Sequence, residues 1–143
     1  MKTLQQLLNS KNIKEIVSIT PEHLVFDALV VLAEHRIGAL LVLDGDKLAG
    51  IFSERDYARE VMLKGRKSTS TKISEVMTTK VLTASPHDTV DYAMSLLSEK
   101  RIRHLPIIEN DKVIGILSIG DLVKETIEYQ QYLIKQLESY IQS

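Results

Sequence analysis

The chain has 143 residues, a net charge of −1 at pH 7, 44% hydrophobic residues and 26% charged ones. This is an ordinary globular composition, and its near-neutral charge speaks against a dedicated nucleic-acid binder, which is strongly basic. The lack of cysteine excludes disulfides, Cys-based zinc sites and thiolate catalysis. No apolar run reaches the ~18 residues of a membrane span. Met1-Lys2-Thr3-Leu4 opens no secretory signal, so the cytoplasm is the default expectation.

Leu4, Leu7 and Leu8 suggest a short helical turn. Ile16-Val17-Ser18-Ile19 reads as an extended run ending at Thr20-Pro21. A helix follows, because Val25, Ala28, Leu29 and Leu32 recur at i, i+3, i+4 and i+7. Thr20 before a proline fits a proline-initiated first turn. Two strands come next, Ala39–Leu43 and Leu48–Phe52, joined at Asp44-Gly45-Asp46, where Asp-Gly tolerates positive φ. Their continuous apolar runs predict strands covered on both faces. A second helix starts at Ser53. The polar, basic stretch from Lys64 to Lys72 reads as a linker, and Ile73–Met77 as another helical turn.

The same order then recurs. Val81-Leu82-Thr83-Ala84 leads to Ser85-Pro86, and a helix carries Val90, Ala93, Met94 and Leu97. Strands Leu105–Ile108 and Val113–Leu117 turn at Asn110-Asp111. Pro106 lacks an N–H and belongs at a strand start or an edge. The last helix begins at Ser118 and runs well past its counterpart, to Ile141.

Shifted by 65 residues, Pro21 falls on Pro86, Glu34 on Glu99, Arg36-Ile37 on Arg101-Ile102, Gly50-Ile51 on Gly115-Ile116, and Asp56 on Asp121. Roughly fifteen of forty aligned positions are identical, against two or three by chance, so one unit is made twice. A unit of about 60 residues is marginal alone, so the two copies are expected to share one core.

The strongest local signal is Gly50-Ile51-Phe52-Ser53-Glu54-Arg55-Asp56, repeated as Gly115-Ile116-Leu117-Ser118-Ile119-Gly120-Asp121. One reading is a helix cap, with Ser at N-cap and an acid at N3. The other is a nucleotide site. Free N–H groups and a hydroxyl at a helix start suit a phosphate. A carboxylate one turn in can accept two ribose hydroxyls, and a strand glycine lets a flat base approach. Arg36 and Arg101 suit helix ends electrostatically. The histidines show no metal-ligand spacing.

These residues resemble a tandem pair of cystathionine β-synthase (CBS) domains, a stand-alone Bateman module. The resemblance rests on the order of elements, on Thr20-Pro21 and Ser85-Pro86, on both Gly-x-x-Ser-x-x-Asp stretches and on Arg101-Ile102-Arg103-His104-Leu105-Pro106. It implies an α+β fold of two pseudo-symmetric β-α-β-β-α repeats, at 10–64 and 73–128, with a helical extension at 129–143. It also implies two clefts of mixed origin. One would use Ser53, Arg55 and Asp56 with Ser85 and Pro86; the other Ser118 and Asp121 with Thr20 and Pro21. Gly38-Ala39 and Arg103-His104 would contact base or phosphate. Because the copies differ at these positions and at Arg55 against Gly120, the clefts are expected to be unequal.

The implied function is a regulatory module that binds an adenine nucleotide (AMP, ADP, ATP or NAD type) and signals to a downstream protein. The alternative is a ligand-independent dimerisation or interaction module. An enzyme, such as an IMP dehydrogenase relative, is disfavoured: there is no barrel, catalytic cysteine, P-loop or His-Glu-x-x-His. No catalytic cofactor, metal, nucleic acid or membrane partner is expected. A homodimer is, as Bateman modules pair through their helices. Val123, Ile127, Gln130, Ile134, Leu137 and Ile141 also alternate at four and three residues, the spacing of a coiled-coil seam. The same stripe could instead pack on the chain's own core.

Overall fold

The computed structural model describes residues 2–11 and 16–142. The expected repeat limits and extension take in residues 12–15 and 143, which lie outside the described residues. The chain divides into two compact units. One gathers residues 16–82 and 110–113, the other 2–11, 83–109 and 114–142.

In the first unit, β1 (Ser18–Ile19) runs parallel to β2 (Ala39–Asp44), with Ser18 opposite Leu41. β3 (Lys47–Ser53) pairs antiparallel with β2, from Ala39 opposite Ser53 to Asp44 opposite Lys47, with a bulge at Val42/Leu43. Gly45 takes the turn at φ 65°. Helix α2 (Val25–His35) turns Val25, Ala28 and Leu32 into a core with Ile19, Leu40, Val42, Phe52, Val61, Ile73 and Val76. The second helix is α3 (Glu54–Asp56), which widens at once into a π-turn over Tyr57–Met62. α4 (Ile73–Val76) then contributes Ile73 and Val76 to the same core.

In the second unit, α1 (Leu4–Ser10) buries Leu4 and Leu7 and is closed by Thr3 and Gln6 in a capping box. α5 (Val90–Lys100) buries Val90, Ala93 and Leu97. β4 (His104–Glu109) and β5 (Lys112–Ser118) form a two-stranded sheet that belongs to this unit except for residues 110–113; its turn is at Asn110 and Asp111, both at positive φ. Of the expected run Val81–Ala84, only Ala84 pairs, as a single parallel bridge to Ile107. Pro106 O accepts from Ala84 N at 3.0 Å. The N and O of a strand residue point the same way, so the missing N–H of Pro106 faces this sparsely paired edge.

The units are not the sequence repeats. α1 leads into the first repeat but packs with the second, while α4 opens the second and packs with the first. The docking is the same in both. Leu4 N and Gln5 N donate to the Asp88 and Pro86 carbonyls at 2.9 and 3.0 Å; Ile73 N and Ser74 N donate to those of His23 and Pro21 at 2.8 and 3.0 Å. Each short helix thus gives its orphan N-terminal amides to a Pro-x-[His/Asp] turn.

This docking corrects the expected proline-initiated helices. The Thr20 and Ser85 carbonyls close turns by accepting from His23 N and Asp88 N, and α2 and α5 begin only at Val25 and Val90. The basic linker also has a structural task. The Thr71 and Ser68 carbonyls accept from Val25 N and Phe26 N at 2.8 and 3.0 Å, satisfying the start of α2.

Arg36 and Arg101 end α2 and α5 in the left-handed region, at φ 53° and 54°. Ile37 N and Ile102 N reach back to the Leu32 and Leu97 carbonyls, the long bond of a Schellman end. The 24-residue α6 (Ile119–Gln142) buries Leu122 and Glu125 near its start. Its stripe does not pack on the chain's own core: exposure rises from 39% at Val123 through 54% at Ile134 to 79% at Ile141.

Candidate ligand-binding site

Each unit places a serine and a carboxylate where a strand becomes a helix. In the first, Ser53 ends β3 and caps α3. Ser53 N donates to Asp56 Oδ2 at 2.9 Å, and Asp56 N donates to Ser53 Oγ at 3.1 Å. Thr78 Oγ1 donates to Asp56 Oδ1 at 3.1 Å. In the second, Ser118 N donates to Asp121 Oδ2 at 2.8 Å, and Asp121 N to Ser118 Oγ at 3.1 Å. The capping geometry is therefore realised in both copies. A carboxylate accepts about four hydrogen bonds, so capping leaves each one capacity for further donors.

The neighbouring strand starts are fixed in matching ways. Glu54 N donates to Gly38 O at 3.1 Å, and Ile119 N to Arg103 O at 2.9 Å. Ala39 lies opposite Ser53 in the β2–β3 register. Gly38, Ala39, Ser53, Arg55 and Asp56 thus stand together in one unit, and Arg103, His104, Ser118 and Asp121 in the other. Arg55 and Arg103 are exposed and take part in no ion pair among the described residues. Thr20 Oγ1 lies 2.7 Å from His23 Nδ1, Ser85 Oγ accepts from His87 N at 3.3 Å, and Pro86 is buried.

Two features change the reading of this motif. The strand glycines are filled by the chain itself. A Cβ on Gly50 would meet the Thr78 carbonyl oxygen at 2.6 Å, and one on Gly115 would meet Leu8 Cδ2 at 2.7 Å. Close approach explains both glycines, but what approaches is protein and not a flat base. The second feature is Lys11, which carries no motif. Its Nζ donates to Asp121 Oδ2 at 3.0 Å and to the Ile116 carbonyl at 3.1 Å. Burial pushes the Asp121 carboxyl up, but the Ser118 amide, Lys11 and the Ser118 hydroxyl together hold it below its ordinary value.

Among the described residues no helix is long and apolar enough to cross a membrane, and no cluster of His, Cys, Asp and Glu could hold a metal.

The CBS domain model matches residues 11–63 and 73–128. The mitochondrial CBS domain-containing protein CBSX3 of Arabidopsis thaliana is 39% identical over 128 residues, spanning 86% of this chain; the chain spans 62% of that relative. A CBS-domain protein structure from Burkholderia ambifaria has 46% identity and a TM-score of 0.85, covering 89% of this chain and 95% of that one. The CBS domain pair of MJ0100, solved with 5′-methylthioadenosine and S-adenosyl-L-methionine, shares the fold at 24% identity and a TM-score of 0.78, covering 90% and 98%. Two matched repeats, the α+β order of elements and the paired serine–carboxylate junctions agree: this chain belongs to the CBS-domain family as a tandem pair, a Bateman module.

Proposed function

We propose that the chain is a non-catalytic regulatory module that binds an adenine nucleotide of the AMP, ADP, ATP or NAD type and passes the signal to a partner protein. The observation that carries this is the repeated junction itself. A carboxylate is anchored by its own helix start in each unit, and each junction carries an exposed arginine (Arg55, Arg103) that forms no ion pair among the described residues. A carboxylate suits a ribose diol and an arginine suits a phosphate. The adenosine ligands of MJ0100 support the same chemistry. On this reading Ser53, Arg55 and Asp56 act with Ser85 and Pro86, and Ser118 and Asp121 with Thr20 and Pro21. Gly38-Ala39 and Arg103-His104 meet base or phosphate.

We further propose that the module works as a homodimer to which α6 contributes. The exposed stripe from Val123 to Ile141 supports this, since that much apolar surface on one helix favours burial.

A thermal-shift panel of adenine, guanine and pyrimidine ligands tests the function. A ligand bound only to the native state adds about 2.7 kcal/mol at a hundredfold excess over Kd, several degrees in a chain of this size. No shift with any adenine nucleotide at millimolar concentration would leave the interaction-module reading, in which both Ser-x-x-Asp stretches are only caps.

A further inference from the structure

The two carboxylates are capped alike but countered differently. Besides its capping amide, Asp56 accepts only from neutral hydroxyls among the described residues, Ser53 Oγ and Thr78 Oγ1, each at 3.1 Å. Asp121 accepts in addition from an ammonium, Lys11 Nζ, which the Ile116 carbonyl also holds. The Lys11 and Asp121 side chains are 26% and 28% exposed, so water screens the pair only in part. Lys11 follows directly on α1, which Leu4, Leu7 and the Pro86 and Asp88 carbonyls fix in place. The cation is thus presented by a rigid support.

Beside the pair lies an open recess of about 430 Å³, lined also by Lys2, Lys124, Glu125 and Glu128. Glu125 is 6% exposed, and Lys2 Nζ reaches it only at 3.4 Å, long for a charge-assisted bond. An ammonium leaving Asp121 therefore finds carboxylates within the same recess.

We propose that Lys11 is a specificity-determining residue. It competes with ribose hydroxyls for Asp121 and makes this position the weaker of the two for neutral ribose-bearing ligands. This rests on the reading of Asp56 and Asp121 as ribose acceptors. Hydroxyl donors bind a neutralised carboxylate less well than a bare one, and a tethered cation is always at hand to rebind. The position at Asp56, where only neutral groups face the carboxylate, fills first. The module then responds in two concentration ranges.

The test is calorimetry on the full chain with adenosine, which carries no phosphate for Lys11 to attract. An Asp56→Ala background isolates the Asp121 position. There, Lys11→Met should tighten adenosine binding up to roughly fivefold, the upper worth of a partly screened ion pair. Lys11→Arg keeps the cation and should stay within about twofold of the parent. Unchanged binding in Lys11→Met overturns the proposal, and weaker binding shows that Lys11 holds the ligand instead. If wild type binds adenosine but neither Asp56→Ala nor its Lys11→Met derivative does, the counter-ion is not what limits this position, and the proposal fails. If wild type binds no adenosine either, the ribose-acceptor reading itself falls.

Discussion

The Thr78 carbonyl oxygen lies 2.6 Å from the point that a Cβ on Gly50 would occupy. It cannot easily retreat, because Ile51 N donates to it at 2.9 Å while Thr78 N donates to Ile51 O at 2.8 Å. At Gly115 the obstacle is a methyl of Leu8, the far end of a rotatable side chain. Gly50→Ala is therefore expected to cost up to about 3 kcal/mol. Gly115→Ala should cost about 0.5–1.5 kcal/mol, the scale of displacing one side chain from its rotamer. Urea unfolding of the two variants checks this; equal losses would contradict it.

Capping and ligand binding can be separated at Asp56. Asp56→Ala removes the acceptor of the Ser53 amide and should cost about 1 kcal/mol of stability. It should also lower nucleotide affinity at that position tenfold to several-hundredfold, through lost charge-assisted bonds. Asp56→Asn keeps an acceptor for the amide, so its stability should stay within about 0.5 kcal/mol of wild type. Its affinity should still fall, though less. Calorimetry and melting curves on both variants distinguish the roles; full affinity in both would leave only the cap.

Asp121 should make stability depend on acid. Its folded carboxyl titrates below the ordinary carboxylate value. The stabilisation is then complete above the unfolded value of about 3.9 and is lost as pH falls through the folded one. The stability gap between wild type and Asp121→Asn should shrink as pH drops from roughly 5 to roughly 2. Lys11→Met should weaken the same dependence, because Lys11 supplies part of the downward pull. Denaturant unfolding across this pH range provides the measurement, and a constant gap would show that the carboxylate is not preferentially held.

Removing residues from Tyr129 onward should weaken the proposed dimer and leave most ligand binding intact. The core of the unit closes before that point, at Leu122 and Glu125, while Ile134, Leu137 and Ile141 stand exposed. Light scattering decides between outcomes. A full-length monomer at tens of micromolar ends the dimer proposal, and an undiminished dimer after truncation removes the helix from it.

The repeated elements were legible because their signals are local. The apolar spacing of Val25, Ala28 and Leu32 and of Val90, Ala93 and Leu97 marked the buried helix faces. Ser53 and Ser118 marked the strand-to-helix junctions. What escaped depends on distant partners. Nothing near Leu4 and Leu7 says that they pack with the second repeat, and nothing near Lys11 says that it meets Asp121. The left-handed ends at Arg36 and Arg101 lack the glycine that normally announces them. The π-turn after Asp56 was hidden for another reason: its sequence is an acceptable α-helix, while the wider turn goes with Val61 in the core and Tyr57 packed against it.

The crossed docking of the short helices also bears on how the chain is made. α1 is made before either repeat is finished, and the Pro86 and Asp88 carbonyls that receive it follow about 80 residues later, roughly 4–16 s at 5–20 residues per second. Through that interval Leu4 and Leu7 have no finished surface to enter. The unit built on residues 16–82 has almost all of its chain by then, including α4. Folding during synthesis is thus expected to complete this unit first, with α1 carried as an unsatisfied apolar segment until the second repeat emerges.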